Sequence, residues 1–299
     1  MSSLFRFAAS VAVLIAVAGV GLSAAAAEPP PGTPVRLAIK PVKPGLYMVT
    51  GNGGNVTVRV APEGLILVDT KNAGQPVYDA LMAQIRTVSA APVKYVVDTH
   101  SHADHTGNNG RFIAAGAAVV AHEAIKAGLA NYVPTAANPN APAAPTQTYK
   151  TALTLAVGPA KAELHHYDRG HTGGDTLVYF PDLRTIAMGD ELVTGSPTVD
   201  YPSGGDIGGL LNSLDQALKL DWDTAIAGHG DEPLTRDYVQ TYRGKVATLL
   251  ARVKEQVKAG TPKDQLLSKV RVDDLGWTFN LVAWAVPGRL DGLYAEGAR

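Results

Sequence analysis

Short apolar runs separated by turn-forming residues dominate the first third of the chain. Val35 to Lys40, Leu46 to Thr50, Asn55 to Ala61 and Leu65 to Thr70 read as strands, with Gly51-Asn52-Gly53-Gly54 as a hairpin turn between the second and third. From Gln75 to Ser89 the period changes. Val77, Leu81, Ile85 and Val88 recur at helical spacing, so this stretch predicts a helix with one buried face. Val93 to Asp98 returns to the strand pattern, followed by a short helix over Asn108 to Ala115, a strand over Ala118 to Ala121 and a helix over Glu123 to Leu129. Asn131 to Gln147 is rich in Pro, Ala and Asn and has no apolar period, which predicts a long surface loop able to serve as a flap.

The second half repeats this layout more loosely. Thr151 to Leu155, Ala162 to His166, Leu177 to Phe180, Thr185 to Met188 and Thr224 to Ala227 predict strands. Ile207 to Leu220 predicts a helix, Thr235 to Ala259 a long amphipathic helix, and Pro262 to Lys269 the start of another. Two halves, each with strands followed by helices, predict two sheets packed face to face with helices outside. We expect one domain over residues 28–299, with no sequence repeat strong enough to mark a duplication.

The first 27 residues stand apart. Arg6 gives a positive start, Phe7 to Leu22 an apolar core, and Ala25-Ala26-Ala27 before Glu28 a small-residue cleavage site, the layout of a secretory signal peptide. An uncleaved membrane anchor is the competing reading, disfavoured by the Ala, Gly and Ser content of the run. A cleaved signal implies a periplasmic or secreted protein with no membrane attachment after processing. Glu28 to Pro34 reads as an extended leader.

Composition narrows the partners. With 46% hydrophobic and 18% charged residues in 299, the chain can bury a sizeable core. The net charge of −1 gives no electrostatic reason to expect nucleic acid or an anionic membrane, which leaves a small-molecule substrate as the expected partner. The chain has no cysteine, so disulfides, thiolate metal ligands and a cysteine nucleophile are all excluded.

The densest chemistry follows the strand Val93 to Val97. His100, His102, Asp104 and His105 fall within six residues, in a polar loop that leads into Thr106 and Gly107. Imidazole nitrogen and carboxylate oxygen are ligands for borderline cations such as zinc, and a tight turn can aim several of them at one point. His100 and His102 share a face of extended backbone, while Asp104 and His105 come after the turn begins; two adjacent metal positions follow. Three later residues also stand at strand ends: His171 in Gly170-His171-Thr172, Asp190 in Gly189-Asp190, and His229 in Gly228-His229-Gly230. Each alone reads equally as a turn cap or a hydrogen-bonded strand end; together with the first cluster they read as ligands.

This ordered set, with the weaker Leu67-Val68-Asp69-Thr70 strand end, resembles the metallo-β-lactamase superfamily from about Tyr47 to Pro233. The resemblance implies an α/β fold, an αββα sandwich of two mixed β-sheets flanked by helices, with two Zn2+ at one edge. It implies that His100, His102 and His171 hold the first zinc, that Asp104, His105 and His229 hold the second, and that Asp190 bridges them, with Asp69 orienting the ligand loop. It further implies a metal-dependent hydrolase in which a hydroxide between the metals attacks a carbonyl carbon and Asp104 acts as the catalytic proton carrier.

Within that family, the best-known β-lactamase subclasses place a cysteine, and another a serine, where this chain has Asp190; a bridging aspartate resembles hydroxyacylglutathione hydrolases and acyl-homoserine lactonases. Export, the Gly170 to Asp175 loop and the Gly51 to Gly54 hairpin resemble β-lactamase-like enzymes and periplasmic quinoprotein-associated relatives. A β-lactam, opened as a cyclic amide, is therefore the first expected substrate, with antibiotic resistance as its physiological setting, and a lactone, ester or thioester the second. A phosphodiesterase, which would call for a basic groove that the near-neutral charge does not support, and a mononuclear iron oxidoreductase on the same fold are the less favoured alternatives. His122, His165 and His166 are expected outside the ligand set, Asp175 to cap its turn or brace His171, and Trp222, Trp277 and Trp284 to pack in the core. Tyr201 and Ser203 are candidate substrate contacts.

Overall fold

The computed structural model describes residues 35–299, so the expected signal peptide and the whole of the expected leader lie outside the described residues. The amino-terminal half contains strands β1 (Ala38–Lys43), β2 (Leu46–Thr50), β3 (Val56–Ala61), β4 (Gly64–Val68), β5 (Val93–Val97), β6 (Ala118–His122) and β7 (Gln147–Tyr149). Helices α1 (Gln75–Arg86), α2 (Ala103–Thr106), α3 (Asn109–Ala114) and α4 (Ile125–Ala130) intervene. The strands form one seven-stranded sheet in simple sequence order, antiparallel from β1 to β4 and parallel from β4 to β7.

The second sheet has the order β13-β12-β11-β10-β9-β8. Its strands are β8 (Ala152–Val157), β9 (Ala160–His165), β10 (Leu177–Phe180), β11 (Thr185–Ala187), β12 (Thr224–Ile226) and β13 (Leu234–Thr235). It is antiparallel except for the β11–β12 pair. Helices α5 (Ile207–Ala217), α6 (Arg236–Lys258), α7 (Leu266–Lys269), α8 (Leu281–Trp284) and α9 (Arg289–Gly297) complete the half.

Strand alternation sorts the core into three layers. In β4, Ile66 and Val68 face Phe180, Ala187 and Ile226 across the gap between the sheets, while Leu65 and Leu67 face outward with Leu81, Ile85 and Phe112 of α1 and α3. On the far side, Tyr179, Ile186 and Ala225 pack under Leu210 and Leu214 of α5 and Val246 and Leu249 of α6. β4 is buried on both faces, which is why its sequence is continuously apolar rather than alternating. The result is the expected αββα sandwich of two mixed sheets. Among the described residues, no helix is long and apolar enough to cross a membrane.

The two halves differ from expectation mainly at their margins. β1 starts at Ala38 rather than Val35, and α1 stops at Arg86, where Thr87 N turns back to Gln84 O. β7, β13 and α8 escape the apolar pattern because each is only two to four residues long, and α9 is a further element that the pattern does not mark. All three tryptophans are buried in the core around α5 and α6, as expected.

Candidate metal centre

The loops that follow β4, β5, β11 and β12 all emerge at the carboxyl ends of neighbouring parallel strands, the edge at which open α/β sheets present functional groups. The loop after β4 turns sharply. Asp69 and Lys71 both take left-handed backbone conformations, φ 67° and 70°, which non-glycine residues adopt only where the surroundings enforce it. Hydrogen bonds enforce it here: buried Asp69 accepts from Thr99 N and Thr99 Oγ1, each at 2.8 Å, and lies 2.7 Å from His105 Nδ1. Asp69 thus organises the ligand loop, the role the resemblance implies.

The hairpin after β2 closes the site from one side. A Cβ on Gly54 would lie 2.2 Å from the His105 ring, and one on Gly53 would lie 2.7 Å from Asp104 O; only glycine allows this approach. Asn55 ties the same hairpin to the other sheet, donating from Nδ2 to Ala227 O at 3.0 Å and Gly230 O at 2.8 Å on either side of His229.

The seven expected residues converge in two groups. His100, His102, His171 and Asp190 form one, and Asp104, His105 and His229 the other, with the donor atoms of each group within 4.8 Å of one another. In the first group His102 Nδ1 and His171 Nε2 face each other at 3.0 Å, and in the second His105 Nε2 and His229 Nε2 face each other at 3.3 Å. Asp190 stands between them. Its Oδ2 lies 3.7 Å from His171 Nε2 and 3.5 Å from His229 Nε2, and its Oδ1 lies 3.3 Å from His105 Nε2.

Outer hydrogen bonds fix four of the rings. Thr99 Oγ1 lies 3.0 Å from His100 Nδ1 and donates to Asp69, so the ring donates to it. His102 Nε2 bonds Asp200 at 2.7 Å, His171 Nδ1 bonds Thr198 O at 2.5 Å, and His105 Nδ1 bonds Asp69. Each outward nitrogen therefore carries a proton, and in His100 and His171, which are neutral, the inward nitrogen offers a lone pair. His100 Nε2 and Asp190 Oδ1 are buried without a hydrogen-bond partner, a costly arrangement unless a cation takes them. The donor set, three imidazoles, then two imidazoles and a carboxylate, with one carboxylate between, fits divalent cations that accept nitrogen and oxygen.

The two groups differ in charge. Burial lowers the pKa of His100 well below its usual value and that of His171 to about 4, so both are neutral near pH 7. Asp190 raises His229 to about 10 against the effect of burial, and in His105 burial is outweighed by Asp190, Asp104 and Asp69, which hold it well above the usual range. Burial likewise opposes charge on Asp190 and Asp104, yet the two histidines keep both carboxylates below their ordinary range. His100 and His171 are neutral before a cation arrives, whereas His105 and His229 form an ion cluster with Asp104 and Asp190.

The remaining expectations sort clearly. Asp175 caps the His171 turn, accepting from Gly170 N, Thr172 N and Thr172 Oγ1. His122 stacks on His166, centroids 3.7 Å apart, and bonds Lys150 O; His165 stacks on Tyr167. None of the three joins the ligand groups. Tyr201 and Ser203 are engaged within the protein: Tyr201 Oη donates to Glu296 at 2.5 Å and Ser203 Oγ to Asp200 at 2.9 Å. Asp200, Asn55 and Lys71 were missed. Asp200 had a signal, being the first carboxylate after a long uncharged loop that follows Glu191.

Known proteins are similar to this chain in sequence or in fold. The 2,4-dinitroanisole O-demethylase subunit alpha of Nocardioides sp. (strain JS1661) is 26% identical over 190 residues, covering 64% of this chain and 56% of that subunit. Among solved structures, a metallo-beta-lactamase from Pontibacter korlensis superposes with a TM-score of 0.61 at 20% identity, over 71% of this chain and 99% of its own. The inverting sec-alkylsulfatase Pisa1 from Pseudomonas sp. gives 0.63 at 20% identity, over 86% and 47%. The sequence model of the metallo-beta-lactamase superfamily matches residues 49–229, more than half of the chain and a span that begins in β2, takes in all seven converging residues and ends on His229, and so this chain belongs to that superfamily.

Proposed function

We propose that this protein is an exported dinuclear zinc hydrolase that opens a cyclic amide in a small molecule, with a β-lactam as the leading substrate. His100, His102 and His171 would hold one cation, Asp104, His105 and His229 the other. The observation that carries the reading is Asp190, a largely buried carboxylate placed between both groups, its Oδ1 3.3 Å from His105 Nε2 but without a hydrogen bond. Two bound cations supply Lewis acidity and a water acidified toward neutrality.

The chain's own residues do the rest. Asp69, Thr99, Thr198 and Asp200 hold the rings in the tautomer that turns lone pairs inward. Asp104 sits at the more open end of the site, its Oδ2 3.3 Å from His229 Nε2, where a carboxylate can take a proton and return it to the departing nitrogen or oxygen. Export rests on the amino-terminal pattern of Arg6, the apolar run and Ala25 to Ala27.

A lactone or other ester is the second reading, favoured by the carboxylate at position 190 where the resembled β-lactamases carry cysteine or serine. A zinc-loaded mature protein should be given a chromogenic cephalosporin, a carbapenem, an acyl-homoserine lactone, a thioester, a secondary alkyl sulfate and an aryl methyl ether, with His102→Ala as control. Metal-dependent opening of the β-lactams, absent from the control, is expected. Turnover confined to the lactone or thioester would replace the substrate and keep the hydrolase; turnover of only the sulfate or the ether would overturn the acyl reading.

The charge contrast gives a second test. His105 and His229 must shed protons to become ligands, whereas His100 and His171 are already neutral, so filling the second group should release protons and its affinity should rise with pH up to about 10, the value for His229. Calorimetric zinc titration in buffers of different ionisation enthalpy, repeated across pH, reads this directly. A pH-independent second binding step with no proton release would contradict it.

A further inference from the structure

The loop that carries Asp200 is held in place by the last helix, which lies beyond the family-matched span. We infer that Arg289 is a positioning residue for His102: it fixes Asp200, and Asp200 fixes the ring that faces the first cation position. The inference rests on the reading of the site as a metal centre.

Arg289 opens α9, where a cation faces the positive end of the helix dipole and gains nothing from it. Its placement is explained by what it touches. Nε lies 3.4 Å from Asp200 Oδ1 and Nη2 3.3 Å from Oδ2, a fork over both oxygens, while Nη1 donates to Ala283 O at 3.0 Å. The pair is largely buried, with side chains 13% and 9% exposed. Asp200 Oδ2 also receives Ser203 Oγ and His102 Nε2, and Asp200 N donates to His171 O at 2.7 Å. One residue thus touches two of the three histidines of the first group, and Arg289 sets its carboxylate plane.

The rest of α9 grips the same loop. Glu296 accepts from Tyr201 Oη, Ile207 N and Gly208 N, and Arg299, two residues past the helix, pairs with Asp206 at 2.7 Å. Gly288, at φ 85°, turns the chain against Pro202, where an added Cβ would lie 2.9 Å from the proline ring. Gly292 passes so close to Tyr201 that a Cβ would lie 2.2 Å from its ring. These contacts keep α9 on the loop without Arg289, so replacing that one side chain tests the fork rather than the clasp.

Arg289→Met keeps the apolar stem and removes the fork. Full-length mature protein and this variant would be compared by zinc content, by chelator competition resolving two binding steps, and by the visible spectrum of the cobalt-substituted protein, with circular dichroism as the folding control. The expected result is a roughly tenfold weaker affinity at one of the two steps, at the lower end of the 10- to 100-fold known for partners of metal-bound histidine, with a changed cobalt spectrum and unchanged secondary structure. Arg289→Lys, which restores charge without the planar fork, should fall between the two. Unchanged or tighter binding at both steps in Arg289→Met overturns the inference. If that variant fails to fold, wild-type affinity in Arg289→Lys overturns it instead. Wild-type protein that takes up no cation refutes the metal-centre reading itself, a result separate from either of these.

Discussion

Asp190→Ala is expected to leave fewer than two cations bound and to lower metal-dependent turnover by about a thousandfold or more, the scale seen when a transition-state charge stabiliser is removed from a preorganised site. The side chain is 12% exposed and faces donors of both groups, His171 on one side and His105 and His229 on the other. No other carboxylate stands between the two groups among the described residues. The loss also reaches the histidines. Asp190 is the largest influence raising His229 and the main charge offsetting burial of His105, so both lose proton affinity together with their shared partner. Asp190→Asn separates charge from volume: it keeps the shape, and if charge is what matters it should bind metal almost as poorly as the alanine. Elemental analysis and turnover on the same samples, with circular dichroism to show folding, provide the check. Two retained cations and turnover within tenfold of wild type would remove Asp190 from the bridging role.

The seven converging residues were legible because their chemistry is local. His100 to His105 occupy one loop, and the three later residues each stand beside glycine at the end of an apolar strand, a pattern readable without knowing how the strands pair. The layered fold was legible for a related reason. Strand alternation in β4 and helical spacing at Leu81 and Ile85 directly encode which faces are buried.

What stayed hidden depends on distant contacts. Asp200 meets His102 across 98 positions and Arg289 across 89, separations that no periodicity encodes. Glu296, 4% exposed, sits in a helix of ordinary surface composition; its burial follows from three donors supplied by another loop. Lys71 is the sharpest case, because lysine is almost never fully buried and nothing in the sequence around it announces an exception. All three are polar residues whose place is set by tertiary packing, and all three lie behind the residues that touch the proposed reaction rather than among them.

Lys71 leads to the second large effect, a pH-dependent stability that Lys71→Met should abolish. The side chain is completely buried, with Nζ donating to Val49 O at 2.7 Å. Burial brings its pKa from 10.5 down to about 7, although Asp69 and Asp104 pull the other way; a cation beside Asp104 would weaken that pull and act in the same direction as burial. The unfolded chain therefore holds this proton up to about pH 10.5 while the folded protein gives it up near pH 7. Between those values the unfolded state binds more protons, so folding stability contributed by this group rises with pH, at about 1.4 kcal/mol per unit and a few kcal/mol in all; below pH 7 both states are protonated and the slope vanishes. Lys71→Met removes the slope. It also leaves Val49 O without its donor, at roughly 1–3 kcal/mol, so near pH 7 that loss and the removed desolvation penalty oppose each other, and only the wild type gains as pH rises. Urea unfolding of zinc-loaded wild type and variant between about pH 7 and pH 10 should show the difference shifting toward the wild type by a few kcal/mol. Parallel profiles would mean that Lys71 keeps an ordinary pKa in the folded protein, and that the loop after β4 holds a charged ammonium against Asp69 and Asp104 rather than a neutral amine.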